Sequence, residues 1–264
     1  MLSAAQVAEF DRQGYLNAGL VLSESEVDEL CVELEAVIAG RTARPPVSLR
    51  NLSGRDDSPV WQVVNIWEAS EAYARLVHHP TVVGMVSQLI PAEGIRLWHD
   101  QIQYKPPRDG GTNMWHQDGP LWSVLGATSM VTAWIALDEV DTANGCMSLV
   151  PGSHRWGDQM DYLRTVPSFE ALGVGCEREL PAPELWPVRR GELSFHHCLT
   201  WHGSHGNLSE RPRRAIALHY MDAATPYVAA GNHLLKPYIT AADGEPVVGE
   251  RFPLVYQEGR LVPA

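Results

Sequence analysis

From about residue 95 the texture of the chain changes, and that change limits the folds open to it. The segments "IRLWHDQIQYK" (95–105), "MVTAWIAL" (130–137), "CMSLV" (146–150), "GELSF" (191–195) and "RRAIALHYM" (213–221) are short and rich in β-branched, aromatic and aliphatic residues. Turn-forming stretches separate them: "PPRDGG", "TANG" and "PGS". Helical periodicity dominates before this point. Ser3 is a cap for a short helix carrying Val7 and Phe10 and closed by Gly14. In 23–40, Val27, Leu30, Cys31, Leu34, Val37 and Ile38 recur at helical spacing, with Gly40 as the stop. Segments near 69–78 and 81–89 predict two more helices, and 41–59 a long loop. Helices first and strands later point to a mainly β fold: a double-stranded β-helix (jelly-roll, cupin-like) core with an N-terminal helical buttress.

A single domain of 264 residues is long enough to bury a sizeable core. Residues 1–94 are expected to form the buttress and loop, 95–222 the jelly roll, and 223–264 an ordered C-terminal extension. Formal charge is −12, from 20 basic and 32 acidic residues, which argues against a nucleic-acid partner. Arg211, Arg213 and Arg214 form the densest basic cluster, suited to a carboxylate and too small for a polyanion track. The four cysteines lie far apart with no CxxC, so neither a disulfide framework nor a cysteine-ligated zinc site is expected. The start of the chain does not resemble a signal peptide, and no apolar run is long enough to span a bilayer. The expectation is a reduced, cytoplasmic protein with no membrane partner; monomer and homodimer stay equally open.

The chemistry concentrates in "TNMWHQDGPLW" (112–122). His116 and Asp118 are two apart, and in an extended strand both would point to one side. A pair alone is no metal site. Iron with open coordination positions takes two histidines and one carboxylate on one face. "FHHCLTWHGSHGN" (195–207) offers His196, His197, His202 and His205 for the third place, and spacing does not choose among them. Alternation along "RRAIALHYM" does separate two arginines. Arg213, Ala215, Ala217 and His219 share one face; Arg214, Ile216, Leu218 and Tyr220 share the other. The second face is bulky and apolar, as a packed face should be. The first sets small residues beside a cation, leaving room for a ligand, so Arg213 is the better carboxylate binder.

The ordered set "NIWE" (65–68), "KPP" (105–107), "WHQDG" (115–119), "WIALDEV" (134–140), "NGCMSLVPGSH" (144–154) and "WHGSHGNLSERPRRAIALHY" (201–220) resembles the phytanoyl-CoA dioxygenase family of Fe(II)- and 2-oxoglutarate-dependent oxygenases. The likeness spans roughly 60–222. It implies that His116, Asp118 and His202 hold Fe(II), and that Arg213 and Ser204 take the distal carboxylate of 2-oxoglutarate. It also implies that Trp134 and Gln101 line the cosubstrate pocket. Arg213 follows His202 by eleven residues, the usual family arrangement. Halogenating members carry Ala or Gly where this chain has Asp118, so halogenation is disfavoured.

The activity so implied consumes O2 and 2-oxoglutarate, releases succinate and CO2, and oxidises a small molecule by hydroxylation, cyclisation or desaturation. Trp122, His219, Gln103 and Asn65 are candidate substrate contacts, with Lys105 a further polar neighbour of the pocket. His196 and His197 are expected to be supporting or structural, and His99 and His154 not to be ligands. "NGC" is expected to be a hairpin turn and "PGSH" a turn. An acyl-CoA is disfavoured, since a chain of this charge offers no basic platform for its phosphates. A natural product, in one version sugar-containing, is the preferred substrate class. The rivals are a non-catalytic binding or sensing protein on the same fold and a zinc hydrolase; the latter lacks an HExxH-type base and leaves Arg213 unexplained.

Overall fold

Ser3 and Ser23 open their helices by the same device. In a computed structural model describing every residue except 127 and 128, helix α1 is Ala4–Gln13 and α2 is Glu24–Ile38. Each serine hydroxyl accepts the backbone N–H of the residue three on, and that residue's side chain, Gln6 or Glu26, accepts the serine N–H in return. Gly14 closes α1 in the left-handed region, its N–H donating to Phe10 O. The apolar stripe of α2, Val27, Leu30, Cys31, Leu34 and Val37, is buried. It joins α3 (Glu71–Val77) and α4 (Pro80–Leu89) in one core cluster against the outer face of the larger sheet.

That sheet is built on four central strands: β9 (Glu192–His197), β6 (Met130–Ala136), β11 (Arg213–Asp222) and β4 (Gly94–Lys105), all antiparallel. A smaller sheet has the order β5 (Asn113–His116), β10 (His202–Ser204), β7 (Met147–Leu149), β8 (Glu184–Trp186). Two antiparallel sheets with a cavity between their inner faces make the jelly roll that the strand texture predicts. The alternation along β11 holds. Ile216, Leu218 and Tyr220 pack into the cluster beneath the helices, while Arg213, Ala217 and His219 line the cavity.

Two expectations need correction. The N-terminal region is not helical throughout, because it supplies three strands to the large sheet. β1 (Tyr15–Leu20) pairs with β9, and β2 (Ser48–Asn51) pairs with β3 (Trp61–Val64), which pairs with β4. So the expected 41–59 loop contains a strand. The C-terminal extension is ordered and adds to the sheet: β12 (Leu254–Gln257) pairs with β4 and with β13 (Arg260–Leu261). Finally, Asn144–Gly145 is no hairpin turn. It lies in a turn between β6 and β7, which belong to different sheets, so the strands it joins do not pair with each other. The Asn144 side chain ties the turn together, donating to Glu139 O and accepting from Asp141 N.

Gly145 has φ +85°, and a Cβ there would stand 2.5 Å from His205 O. Gly145→Ala should therefore cost about 2–3 kcal/mol. That lowers the melting temperature by roughly 5–10 °C in a chain of this size. An unchanged melting temperature would contradict the close approach. Among the described residues, no helix is long and apolar enough to cross a membrane.

Candidate active site

His116 is the last residue of β5 and His202 the first of β10, and the two are directly paired across the strands. Their rings lie 4.1 Å apart between centroids. Asp118 reaches them by a route that strand alternation does not describe, since it has left the strand and is helical (φ −69°, ψ −51°). Gln117 makes this turn. Buried, it donates to Gly157 O and Leu199 O and accepts from Gln159 N, so it is anchored away from the site. Oδ1 of Asp118 then stands 3.7 Å from Nε2 of both His116 and His202. The three potential ligand atoms all lie within 4.8 Å of one another.

Backbone carbonyls set the tautomers. His116 Nδ1 faces Met114 O at 2.8 Å, and His202 Nδ1 faces Thr200 O at 3.0 Å. A carbonyl only accepts, so each Nδ1 carries the proton and each Nε2 offers a lone pair to the centre. Burial holds both imidazoles down to about 4, keeping them neutral and ready to ligate. Burial alone would raise Asp118, but His202, His196 and His219 together hold its carboxyl well below the usual range. Two neutral imidazoles and one carboxylate, converging on one point, fit the ligand set of a non-haem Fe(II) site.

The second half of the site is cationic. Arg213 is fully buried, with Cζ 5.0 Å from the Trp134 ring and Nη1 only 3.4 Å from Gln103 Oε1. Its Nε and Nη2 have no partner among the described residues. Burial lowers it to about 10, still charged at neutral pH. A buried guanidinium with free donors is costly unless an anion completes it. Lys105, its cross-strand partner, donates from Nζ to Ser204 Oγ (2.8 Å) and to His205 O. Burial, then Arg213, pulls Lys105 down to about 6. This pocket end fits the distal carboxylate of 2-oxoglutarate: a planar fork, a hydroxyl and an amine in one place. Arg214, by contrast, is already occupied by Asp138 through two hydrogen bonds.

One cavity of about 420 Å³ is lined by the three candidate ligands, Arg213, Ser204, Trp134, Gln101, Gln103, Trp122 and His219. Asn65 is the exception and is a correction. It is buried in the turn after β3 with φ +55°, its amide donates to Glu68, and it does not line the cavity. His205 turns outward to Glu170, so it does not compete with His202. His154 contacts Asp11 O, and His197 Nδ1 accepts from Leu199 N, as structural histidines should. Lys105 was visible in sequence only as a polar neighbour. The signal that would have given its role is its register position directly opposite Arg213.

Five buried or half-buried imidazoles, His116, His197, His202, His219 and His233, are held near 4, and burial pushes His99 well below its ordinary range. In the unfolded chain each protonates near 6.5. Between these values the unfolded state binds more protons, so stability falls as pH falls. The metal-free protein should lose melting temperature steeply from pH 6.5 to 4, while above 7 Lys105, held near 6 by burial, leaves a shallower dependence in the same direction. A flat profile down to pH 5 would show the rings to be exposed.

The profile of the phytanoyl-CoA dioxygenase (PhyH) family matches residues 10–215. The chain belongs to this family. It is 30% identical over 256 residues to the ectoine dioxygenase of Halomonas elongata, covering 90% of this chain and 73% of that one. Among solved structures it resembles SnoK, the non-heme alpha ketoglutarate dependent carbocyclase from nogalamycin biosynthesis. Identity is 30% and the TM-score 0.76, over 96% of both chains. The epimerase SnoN, solved with Fe3+, alpha ketoglutarate and nogalamycin RO, is 25% identical with a TM-score of 0.73, over 95% of this chain and 97% of its own. This family member is a non-haem iron, 2-oxoglutarate-dependent dioxygenase, and its His116–Asp118–His202 cluster and orphaned Arg213 fit that chemistry.

Proposed function

We propose that the protein oxidises a small natural product, by hydroxylation, oxidative cyclisation or desaturation. His116, Asp118 and His202 would hold the iron. Arg213, Ser204 and Lys105 would take the distal carboxylate of 2-oxoglutarate, with Trp134 and Gln101 as walls, so that its other end points to the iron. When bound, the iron supplies O2 activation coupled to decarboxylation of 2-oxoglutarate to succinate and CO2. The protein's share is open coordination, orientation and exclusion of water. With Asp118 in place no ligand position is vacated for a halide, which favours these outcomes over halogenation. The four cysteines are unpaired, consistent with the reducing cytoplasm.

The observation that carries the substrate class is the distribution of charge in the cavity. Among its described lining residues, the Lys and Arg side chains are Lys105 and Arg213, both at the cosubstrate end. The remaining wall includes Leu52, Val60, Trp61, Met114, Leu121 and Trp122. Such a wall suits a ring system, bare or sugar-bearing, and gives the phosphates of an acyl-CoA no Lys or Arg beyond the cosubstrate end. The names of SnoK and SnoN agree with this class. Succinate release should be measured with Fe(II), 2-oxoglutarate and a panel of polycyclic aglycones, their glycosides, ectoine and phytanoyl-CoA. A polycycle or glycoside should stimulate release at least several-fold over the substrate-free rate. Stimulation by the acyl-CoA alone would overturn the assignment.

A further inference from the structure

Asp118 uses its two oxygens differently. Oδ1 faces the two ligand histidines. Oδ2 faces the large sheet, where Thr132 Oγ1 lies 3.1 Å away and His196 Nε2 3.0 Å away. Behind Thr132, His219 Nδ1 is 2.8 Å from the same hydroxyl. We propose that Thr132 and His196 form a two-armed clamp on Oδ2 that fixes Asp118 as a one-oxygen metal ligand, with His219 bracing the Thr132 arm.

Proton counting makes the arrangement unambiguous. A carboxylate can only accept, so both His196 Nε2 and Thr132 Oγ1 must donate to it. Thr132 has one hydroxyl proton, already committed. Its bond to His219 is therefore one in which it accepts, and His219 carries its proton on Nδ1. His196, with its proton on Nε2, needs none on Nδ1, and that atom has no partner among the described residues. Each of the three hydrogen bonds thus has one donor and one acceptor.

The clamp follows from strand register. Thr132 on β6 is paired with His196 on β9 at one side and with His219 on β11 at the other. The three side chains stand in one row across the sheet's inner face, and all are buried, at 1%, 2% and 5% exposure. Asp118 comes from a different place, the turn after β5 in the small sheet's chain. So a rigid row in one sheet orients a ligand supplied from outside it, which is what precise positioning needs. Without the clamp, the carboxylate would be free to rotate and offer both oxygens to a metal. That would consume a position needed for the two donor atoms of 2-oxoglutarate or for O2.

These are positioning residues, and their test is metal binding instead of turnover. Purified wild type, Thr132→Val, Thr132→Ser, His196→Phe and His196→Gln should be compared. The readouts are Fe(II) affinity by anaerobic chelator competition, the visible band formed on adding 2-oxoglutarate, and the melting temperature of the metal-free protein. Thr132→Val keeps the shape and suits a strand, and His196→Phe keeps the ring. Both should weaken Fe(II) binding roughly 10- to 100-fold and shift or diminish the band. Ser and Gln, which can still donate, should restore affinity to within a few-fold of wild type. Wild-type affinity and band in folded Thr132→Val and His196→Phe would overturn the clamp. So would losses in the Ser and Gln variants equal to those in Val and Phe. If one apolar variant does not melt cooperatively, the other decides by the same criterion. The proposal rests on the iron reading of the site, not on the substrate class. Wild type without Fe(II) affinity would sink that reading, whereas wild-type binding matched by every variant sinks only the clamp.

Discussion

Replacing His202 by alanine will abolish Fe(II)-dependent consumption of 2-oxoglutarate while leaving the fold intact. The side chain sits at the start of β10, and the backbone around it is held by pairing to β5 and β7, which alanine preserves. What is lost is one of three converging ligand atoms. Two remaining ligands do not make the three-point face that this chemistry uses. Asp118→Ala should be as severe, and His205→Ala, whose ring points to Glu170, should be close to wild type. Oxygen uptake with 2-oxoglutarate, with and without added Fe(II), gives the comparison. Full activity in His202→Ala, or loss in His205→Ala alone, would move the third ligand elsewhere.

Arg213→Ala will raise the 2-oxoglutarate requirement far more than it changes the maximal rate. A guanidinium that is fully buried with free Nε and Nη2 is an anion receptor in waiting. Removing one partner of such a buried charge pair typically costs about 2–5 kcal/mol. That corresponds to roughly a 30- to 4,000-fold rise in the cosubstrate KM. Lysine at 213 should recover only part of this, because a point charge cannot reproduce the planar fork. Arg214→Ala is the control. Its two hydrogen bonds go to Asp138, so it should lower stability and leave the cosubstrate KM within a few-fold. An unchanged KM in Arg213→Ala would place the distal carboxylate elsewhere.

The distinction between these two arginines was legible in sequence because β11 alternates cleanly, with one side packed under the helices and the other facing the cavity. Helices α1 and α2 were legible for a similar reason, since cap and periodicity agree in each. Strands β1, β2 and β3 were not. β1 is broken by a bulge between Asn17 and Gly19, and β2 is half exposed and becomes a strand only by pairing with β3. The pairing of His116 with Asp118 was anticipated for a reason that does not apply, because Asp118 is not in the strand. Burial of Gln117 in the turn after β5, a tertiary effect, brings the two together. Asn65 shows the opposite failure. A polar residue beside a pocket strand in sequence turned out to be a positive-φ residue serving its own turn. The clamp on Asp118 was out of reach, since it depends on the register of three strands that lie far apart in the chain.

The decisive measurement is an anaerobic titration of the wild-type protein with Fe(II) and 2-oxoglutarate, followed by visible absorption. A charge-transfer band should appear when both are present and reach its maximum at one equivalent of Fe(II). It should be absent from His202→Ala. In Arg213→Ala it should need far more 2-oxoglutarate. A folded wild-type protein that binds neither component and forms no band would contradict the account.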